Sequence, residues 1–475
     1  MIEIGVMHNG GNDLPVKDTA NGVAVNDGTL AETQLSSQRT VVNQLRQGIL
    51  ADRLGFDLFT MTEHHFQCEG AEFSPNPLLV EAAIASQTKR IRLGQCANII
   101  TWHHPIRFAE QVAMLDIMSN GRLEVGIGRG YQPRETEVFG QVYGSTVQDS
   151  ERNRAFFEEA LQIMIKAWTE ESFHFKGDFF TIPPTYTKWN HAQTNAYFSL
   201  PGVGRTLDQV LKVGVNDPSA GPNPIMATTT TLKELTVYPQ PLQKPYPQLW
   251  QPLSSERSVR WAADNGVNAL IIVETGARLR RAMDQYYDQC HKSGWVDRRG
   301  NGKPFKFGWD AQRRRGFAVA RPVHVVNGAL GNLKRAMAGS ELQWAFYGPF
   351  GFVHGLAQPG EPVGDLGRKV TGQELIDKGA AIQGSKDHVI EQIIKIKTNG
   401  GFEDFMFNAY FDLGGFEGSE IEDQMIFFAE EIMPVLRNEF GGGPEHPSVG
   451  FDLNFGSKGE RSKAPTRETN LTKKP

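Results

Sequence analysis

Ile91-Arg-Leu-Gly-Gln-Cys-Ala-Asn-Ile99, then Ile106–Met118, then Leu123-Glu-Val-Gly-Ile-Gly128: this stretch decides how the chain folds. Two short apolar runs read as strands, and the segment between them has the apolar spacing of a helix. The helix is expected to stop before Asn120-Gly121, a C-terminal signal. The same alternation extends in both directions. Upstream, Ile2–Met7 reads as a first strand and Phe56–Glu63 as a second. Ser36–Leu54 reads as a helix from the near-3.6 spacing of Val41, Val42, Leu45, Ile49 and Leu54, and Pro77–Lys89 as a helix with proline in its first turn. Downstream, Arg152–Glu170 is a long amphipathic helix. Strands are expected at Pro247–Leu253, Asn268–Val273, Gly316–Val326 and Phe402–Phe411, and helices at Ser254–Asn265, Ala277–His291 and Ser419–Arg437. Gly266 stands in the left-handed stop position. Eight strands followed by helices predict an α/β fold, a closed parallel (β/α)8 TIM barrel over 1–440. An open doubly wound sheet would want a GxGxxG turn after the first strand, and none is there.

Three stretches interrupt the repeat: 186–238, 294–315 and 327–383. Two of them, 186–238 and 327–383, are expected either to cover the C-terminal mouth of the barrel or to decorate its surface. The segment 441–475 reads as a flexible or subunit-wrapping tail. The chain has 475 residues, 39% hydrophobic and 22% charged, with a net charge of −5. That balance suggests neither a nucleic-acid nor a membrane partner. Cys68, Cys96 and Cys290 form no CxxC pair and no disulfide framework, and no run of apolar residues has the length of a membrane span. A reducing cytoplasm is the expected location.

Barrel active sites are built at the C-terminal ends of the strands. Strand two ends on Thr62-Glu63-His64-His65-Phe66. If the strand continues, His64 and His65 point opposite ways, so one can face the mouth. An imidazole there can take or give a proton near neutral pH, although a histidine pair by itself is more often structural. Glu63, His64, His103 and His104 could instead ligate a metal, but no HxH, HExxH or later carboxylate cluster supports one. Strand four ends on Gly128-Arg129-Gly130-Tyr131, where the guanidinium could meet a phosphate or simply solvent. Strand five ends on Ser254-Ser255-Glu-Arg-Ser258, where the hydroxyls either bind an anion or merely cap a helix. Arg154, one turn into the next long helix, could serve the same anion or be surface charge.

Taken in order, these segments resemble the bacterial luciferase-like flavin-dependent monooxygenase family. The residues that carry the resemblance are Thr62–Phe66, His104-Pro-Ile-Arg-Phe-Ala-Glu110 and Asp116–Gly130. Further along come Tyr238–Pro247, Ser255–Ala263, Gly384-Ser-Lys-Asp-His388 and Phe427–Pro434. The likeness covers about 1–185, 235–293, 316–326 and 384–440. It implies a homodimeric barrel that binds reduced FMN as cosubstrate at its mouth. It implies a reaction with O2 through a C4a-(hydro)peroxide that oxygenates a small, hydrophobic organic substrate. A separate NAD(P)H:flavin reductase would supply the electrons. By position, His64 matches the catalytic histidine beside the reactive edge of the flavin. Arg129, Ser254, Ser255 and Ser258, with Arg154, match the phosphate cradle. Cys96, Ala97 and Asn98 match the third-strand end, where the family places an unusual cis peptide, and Gly128 and Tyr131 match its cofactor wall. Luciferase itself has a cysteine at the Gly128 position, so light emission is not the expected outcome. Three other readings stay open: a deazaflavin-dependent oxidoreductase of the same superfamily, a metal-dependent barrel hydrolase, and a non-catalytic flavin-binding barrel.

Overall fold

The computed structural model describes residues 2–293, 316–401 and 405–442. The expected insertion at 294–315 and most of the 441–475 tail therefore lie outside the described residues. Eight parallel strands close on themselves: β1 (Ile2–His8), β2 (Leu58–Met61), β3 (Arg92–Gln95), β4 (Leu123–Gly128), β5 (Leu249–Pro252), β6 (Asn268–Ile271), β7 (Phe317–Val325) and β8 (Phe405–Tyr410). Each pairs with the next, and the ring closes where Ile2 of β1 registers with Phe405 of β8. This is the (β/α)8 barrel. The strands read as near-continuous apolar runs because both of their faces are covered; every residue of β1 and β7 is buried.

The principal helices are α1 (Leu30–Leu54), α2 (Pro77–Ala85), α3 (Pro105–Met118), α4 (Ser150–Thr169), α5 (Glu256–Asp264), α6 (Gly276–Lys292), α7 (Leu333–Tyr347), α8 (Lys386–Gly400) and α9 (Gly418–Phe427). Their ends follow local chemistry. α1 begins at Leu30 rather than Ser36, because Thr29 and Glu32 form a reciprocal capping box. Apolar spacing could not show this, since Leu30 and Leu35 are exposed and Thr33 and Ser36 are buried. The last helix is split: a π-helical segment, Phe428–Ile432, separates α9 from Met433–Phe440, where Pro434 lacks an amide hydrogen. The stretch 327–383 is not plain loop. It contains α7, started by the Asn332 side chain accepting from Arg335 N.

The chain divides into two compact units, one within Met1–Ile99, Leu115–Glu135 and Leu242–Pro475, the other within Ile100–Met114 and Thr136–Pro241. All eight barrel strands belong to the first. In the second, Trp168 of α4 donates to Ala109 O at 3.0 Å. The Glu159 carboxylate of α4 accepts the backbone amides of Asp178 (2.8 Å) and Phe180 (2.7 Å), fixing the turn there. The expected excursion 186–238 lies wholly in this unit, where it forms short elements such as Ala192–Phe198 and the ladder of Leu211–Lys212 with Thr231–Leu232.

Buried arginines brace the barrel unit. Arg92, at the start of β3, pairs with Glu3 of β1 at 2.8 Å and also with Glu124 of β4. Glu124 in turn accepts from the indole of Trp250 at 2.7 Å. Arg321 of β7 is fully buried and binds only backbone carbonyls, among them Ile272 O at 2.7 Å and Gly379 O at 3.0 Å. Burial pushes its pKa down to about 10. Those bonds tie the 379–380 turn to the end of β6, at the mouth.

Candidate active site

At the C-terminal ends of the strands the barrel unit holds a cavity of about 230 Å³. His64 lines it, just past β2. The backbone of His64 is pinned by an antiparallel bridge to Ser74 (N–H to O 3.0 and 3.2 Å), which brings the 67–73 loop back against the imidazole. His64 Nε2 lies 3.1 Å from Glu72 Oε2, and Nδ1 lies 3.5 Å from Glu135 Oε1. Burial works against charging this ring. The carboxylates of Glu72, Glu135 and Glu63 outweigh it, so the pKa of His64 is raised above its ordinary value. Nε2 is thus directed at a carboxylate, and Nδ1 stands between Glu135 and the Gln132 amide at 3.4 Å. His65 turns to Glu63, at 3.7 Å, and the Glu63 carboxylate accepts the amide of Ile99. That bond draws Glu63 off the ladder, so β2 ends at Met61 and not at Glu63.

Glu72 is fully buried. Its Oε2 accepts from Tyr347 Oη at 2.5 Å, and its Oε1 from Gln132 Nε2 at 2.5 Å and from Gln67 and Tyr131 at 3.3 Å each. Burial pushes its carboxyl pKa up, while His64, Tyr347 and Gln132 pull against that. Tyr347 also accepts from Asn9 Nδ2 at 2.7 Å. Burial likewise raises the phenols of Tyr131 and Tyr347 well above their usual range, so both stay protonated as donors.

Arg129, Ser254, Ser255 and Ser258 line the same cavity. Ser255 is the N-cap of α5, and it and Ser258 cap each other: Ser258 N to Ser255 Oγ 3.2 Å, Ser255 N to Ser258 Oγ 3.2 Å. The capping role is thus present, on residues that also line the cavity. Cys96, Ala97, Gly128 and Tyr131 complete the expected wall. The Cys96–Ala97 peptide is cis and separates β3 from a short strand, Asn98–Ile99, that pairs with β4. A Cβ at Gly128 would come within 2.8 Å of the Ile99 side chain, so a side chain there would narrow the wall.

Two expected residues do not line this cavity. Asn98 is turned away: its amide donates to Gln95 Oε1 at 2.7 Å and to Gly126 O at 3.1 Å, closing the gap left in the ladder. Arg154 stands on α4 in the second unit. Of the aromatics after the strand ends, Tyr131 lines the cavity. Phe66 is exposed, and Trp102 packs on Phe139 at 5.6 Å within the second unit. The sequence reading missed Glu72 and Glu135, which face His64, and among the cavity lining Gln251 and the residues that 327–383 contributes, Trp344, Tyr347, Phe352 and Ala380. For Trp344 and Tyr347 a signal existed, since they stand three apart on a helix that an Asn N-cap announces. Glu72 and Glu135 are isolated carboxylates with no spacing to mark them. Among the described residues no three His, Cys, Asp or Glu side chains are grouped to hold a metal ion, and no helix is long and apolar enough to cross a membrane.

The residues also suit a flavin mononucleotide. Arg129, three serines and the N-terminal turn of α5 all line the cavity, residue types that a phosphomonoester requires. Gln251 Oε1 is buried, without a hydrogen-bond partner, on a residue lining the same cavity, which suits an acceptor for a ring N–H.

The family model described as luciferase-like monooxygenase matches residues 24–203. An uncharacterized protein of Sinorhizobium fredii is 34% identical over 150 residues, 32% of this chain and 40% of that protein. The oxygenase component of a flavin-dependent trigonelline monooxygenase from Acinetobacter baylyi is 26% identical over 251 residues, 52% of this chain and 54% of that protein. The matched region thus spans roughly half the length of these relatives or less. Among solved structures, the oxygenating constituent of 3,6-diketocamphane monooxygenase from Pseudomonas putida, in complex with FMN, superposes with a TM-score of 0.60 at 18% identity, covering 91% of this chain and 98% of that one. An F420-dependent secondary alcohol dehydrogenase superposes at 0.58 and 15% identity, covering 92% and 99%. At those identities the superpositions speak for the fold.

Proposed function

We propose, from the match of residues 24–203 to the luciferase-like monooxygenase family model, that this chain is the oxygenase of a two-component system. In this reading it takes reduced FMN from a separate flavin reductase and oxygenates a small apolar organic molecule with O2. The observation that carries the reading is the meeting, in one cavity, of His64 with the Arg129–Ser254–Ser255–Ser258 wall. Arg129, the three hydroxyls and the α5 N-terminus hold the phosphate. Asn98 is kept as a support under the flavin, to be tested by substitution. Cys96, Ala97, Gly128 and Tyr131 form the wall along the ring. Bound reduced FMN supplies the electrons that activate O2.

The protein's part is position, proton and dryness. His64, with Nε2 3.1 Å from Glu72 and Nδ1 3.5 Å from Glu135, is the proton-bearing group of the cavity, and the longer Nδ1 contact is the one that yields when it hands a proton to the reacting oxygen. Apolar side chains, Ile272, Val273, Trp344, Phe352 and Ala380, line the substrate side and keep water out. The protein works as a homodimer in the cytoplasm.

The test supplies reduced FMN from a reductase, ¹⁸O2 and a panel of apolar cyclic and aliphatic substrates. The reading expects ¹⁸O in a product, only when reductase and O2 are both present. A parallel arm with reduced deazaflavin tests the other cofactor. Turnover confined to that arm, without O2, would replace the oxygenase reading with a dehydrogenase one. Arg129→Ala should raise the Kd for reduced FMN roughly 10- to 100-fold, the loss of one charge-assisted contact, and leave the affinity for reduced riboflavin unchanged. Titration by fluorescence under nitrogen checks both.

A further inference from the structure

We propose that Glu72 and Tyr347 form a positioning pair that fixes the orientation and protonation of His64, so that the 327–383 insertion takes part in setting the proton inventory of the site. The inference rests on the reading of His64 as the proton-bearing group of the cavity. Its observation is a buried convergence on one oxygen: Glu72 Oε2 lies 3.1 Å from His64 Nε2 and 2.5 Å from Tyr347 Oη. Tyr347 is held by Asn9 Nδ2 at 2.7 Å, and Asn9 by its backbone amide on Asp412 Oδ2 at 2.7 Å. The line therefore runs from the end of β1 through a helix of the insertion to the histidine after β2.

The physical logic is one of competition for a carboxylate. Glu72 is out of contact with water, so its charge persists only while donors surround it. Tyr347 is one of those donors, with Gln132, Gln67 and Tyr131 on the other oxygen. A charged Glu72 holds a proton on His64 Nε2 and points the ring. Without the phenol, the carboxyl takes up a proton itself and the imidazole loses its strongest counter-charge. The groups facing His64 from every side are Glu63 on its own strand end, Glu72 on the returning loop, Tyr131, Gln132 and Glu135 after β4, and, through Glu72, Tyr347 on α7. Three further observations place Tyr347 firmly. Phe352 packs on its ring at 5.6 Å and Phe346 at 5.8 Å, and the phenol lines the cavity. The hydroxyl can therefore be removed with little change in packing.

The test is the titration of His64 in the full-length protein by NMR, its signal identified among the 12 histidines by its absence in His64→Gln. Glu72→Gln should lower the pH at which His64 titrates by about one unit or more, the usual effect of losing an adjacent carboxylate. Tyr347→Phe should lower it by a smaller amount. The double variant should match Glu72→Gln alone, because Tyr347 acts through Glu72. A His64 titration unmoved by Tyr347→Phe, or additive shifts in the double variant, would overturn the pair. Should Tyr347→Phe fail to fold, Glu72→Gln alone decides: an unmoved titration sinks the proposal. The readout needs neither flavin nor turnover. Expected shifts in a protein that never incorporates oxygen would leave the pair standing and remove the oxygenase reading instead.

Discussion

His64→Gln should lower oxygen-dependent product formation by about 10²- to 10⁴-fold, the range associated with losing a positioned proton donor. The side chain is replaced by one of similar reach that carries no titratable proton. Arg129 and the serine wall are untouched, so affinity for reduced FMN should change little, and the loss should appear in kcat and not in KM. The pH profile adds a sign. Glu72, Glu135 and Glu63 overcome burial and raise the pKa of His64, so the imidazolium persists above the ordinary histidine range. If it donates, activity is high below that raised value and falls as pH rises through it. His64→Gln should flatten that limb. The same linkage reaches stability. A group whose folded pKa is raised contributes stability that is complete below its unfolded value, about 6.5, and is lost as pH rises through the folded value. Thermal melts of wild type and His64→Gln should therefore converge toward high pH. Full coupled activity in the variant would remove His64 from the chemistry.

The second large effect concerns the barrel itself. Arg92→Met should cost about 3–5 kcal/mol of folding stability, as breaking a buried ion pair from one side does. Arg92 is buried between Glu3 and Glu124, and methionine fills much of its volume without meeting either charge. Glu124 keeps its bond from Trp250, but both carboxylates lose their guanidinium. The triple variant Glu3→Gln, Arg92→Met, Glu124→Gln should recover a large part of the loss, because it removes the uncompensated charges together. Denaturant unfolding measures this. A single-variant loss below about 1 kcal/mol would mean that water or backbone movement satisfies the carboxylates.

The barrel was legible because its signals are local. Leu123–Gly128 was read to the residue, and the Asn120-Gly121 stop and the left-handed Gly266 stand where expected. Of the strand-end motifs, His64, Arg129 and the three serines meet in one cavity because (β/α)8 closure collects strand ends regardless of their separation in sequence. What stayed hidden depends on tertiary return. Glu72 reaches His64 only because the 67–73 loop folds back on the Ser74 bridge, and Tyr347 only because α7 carries it to the mouth. No spacing in the chain encodes either approach. Asn98 shows the reverse: it follows the cis Cys96–Ala97 peptide after β3, but its amide answers to Gln95 and Gly126.

The central claim is that this cavity binds reduced FMN and directs its reaction with O2. Reduced FMN is titrated into the protein under nitrogen, then mixed rapidly with oxygenated buffer while flavin absorbance is followed. The account predicts saturable binding at one flavin per chain, reoxidation kinetics distinct from those of free reduced FMN, and a return to the free behaviour in Arg129→Ala at the same flavin concentration. Reoxidation indistinguishable from free flavin at every protein concentration, together with saturable binding of a reduced deazaflavin, would contradict it.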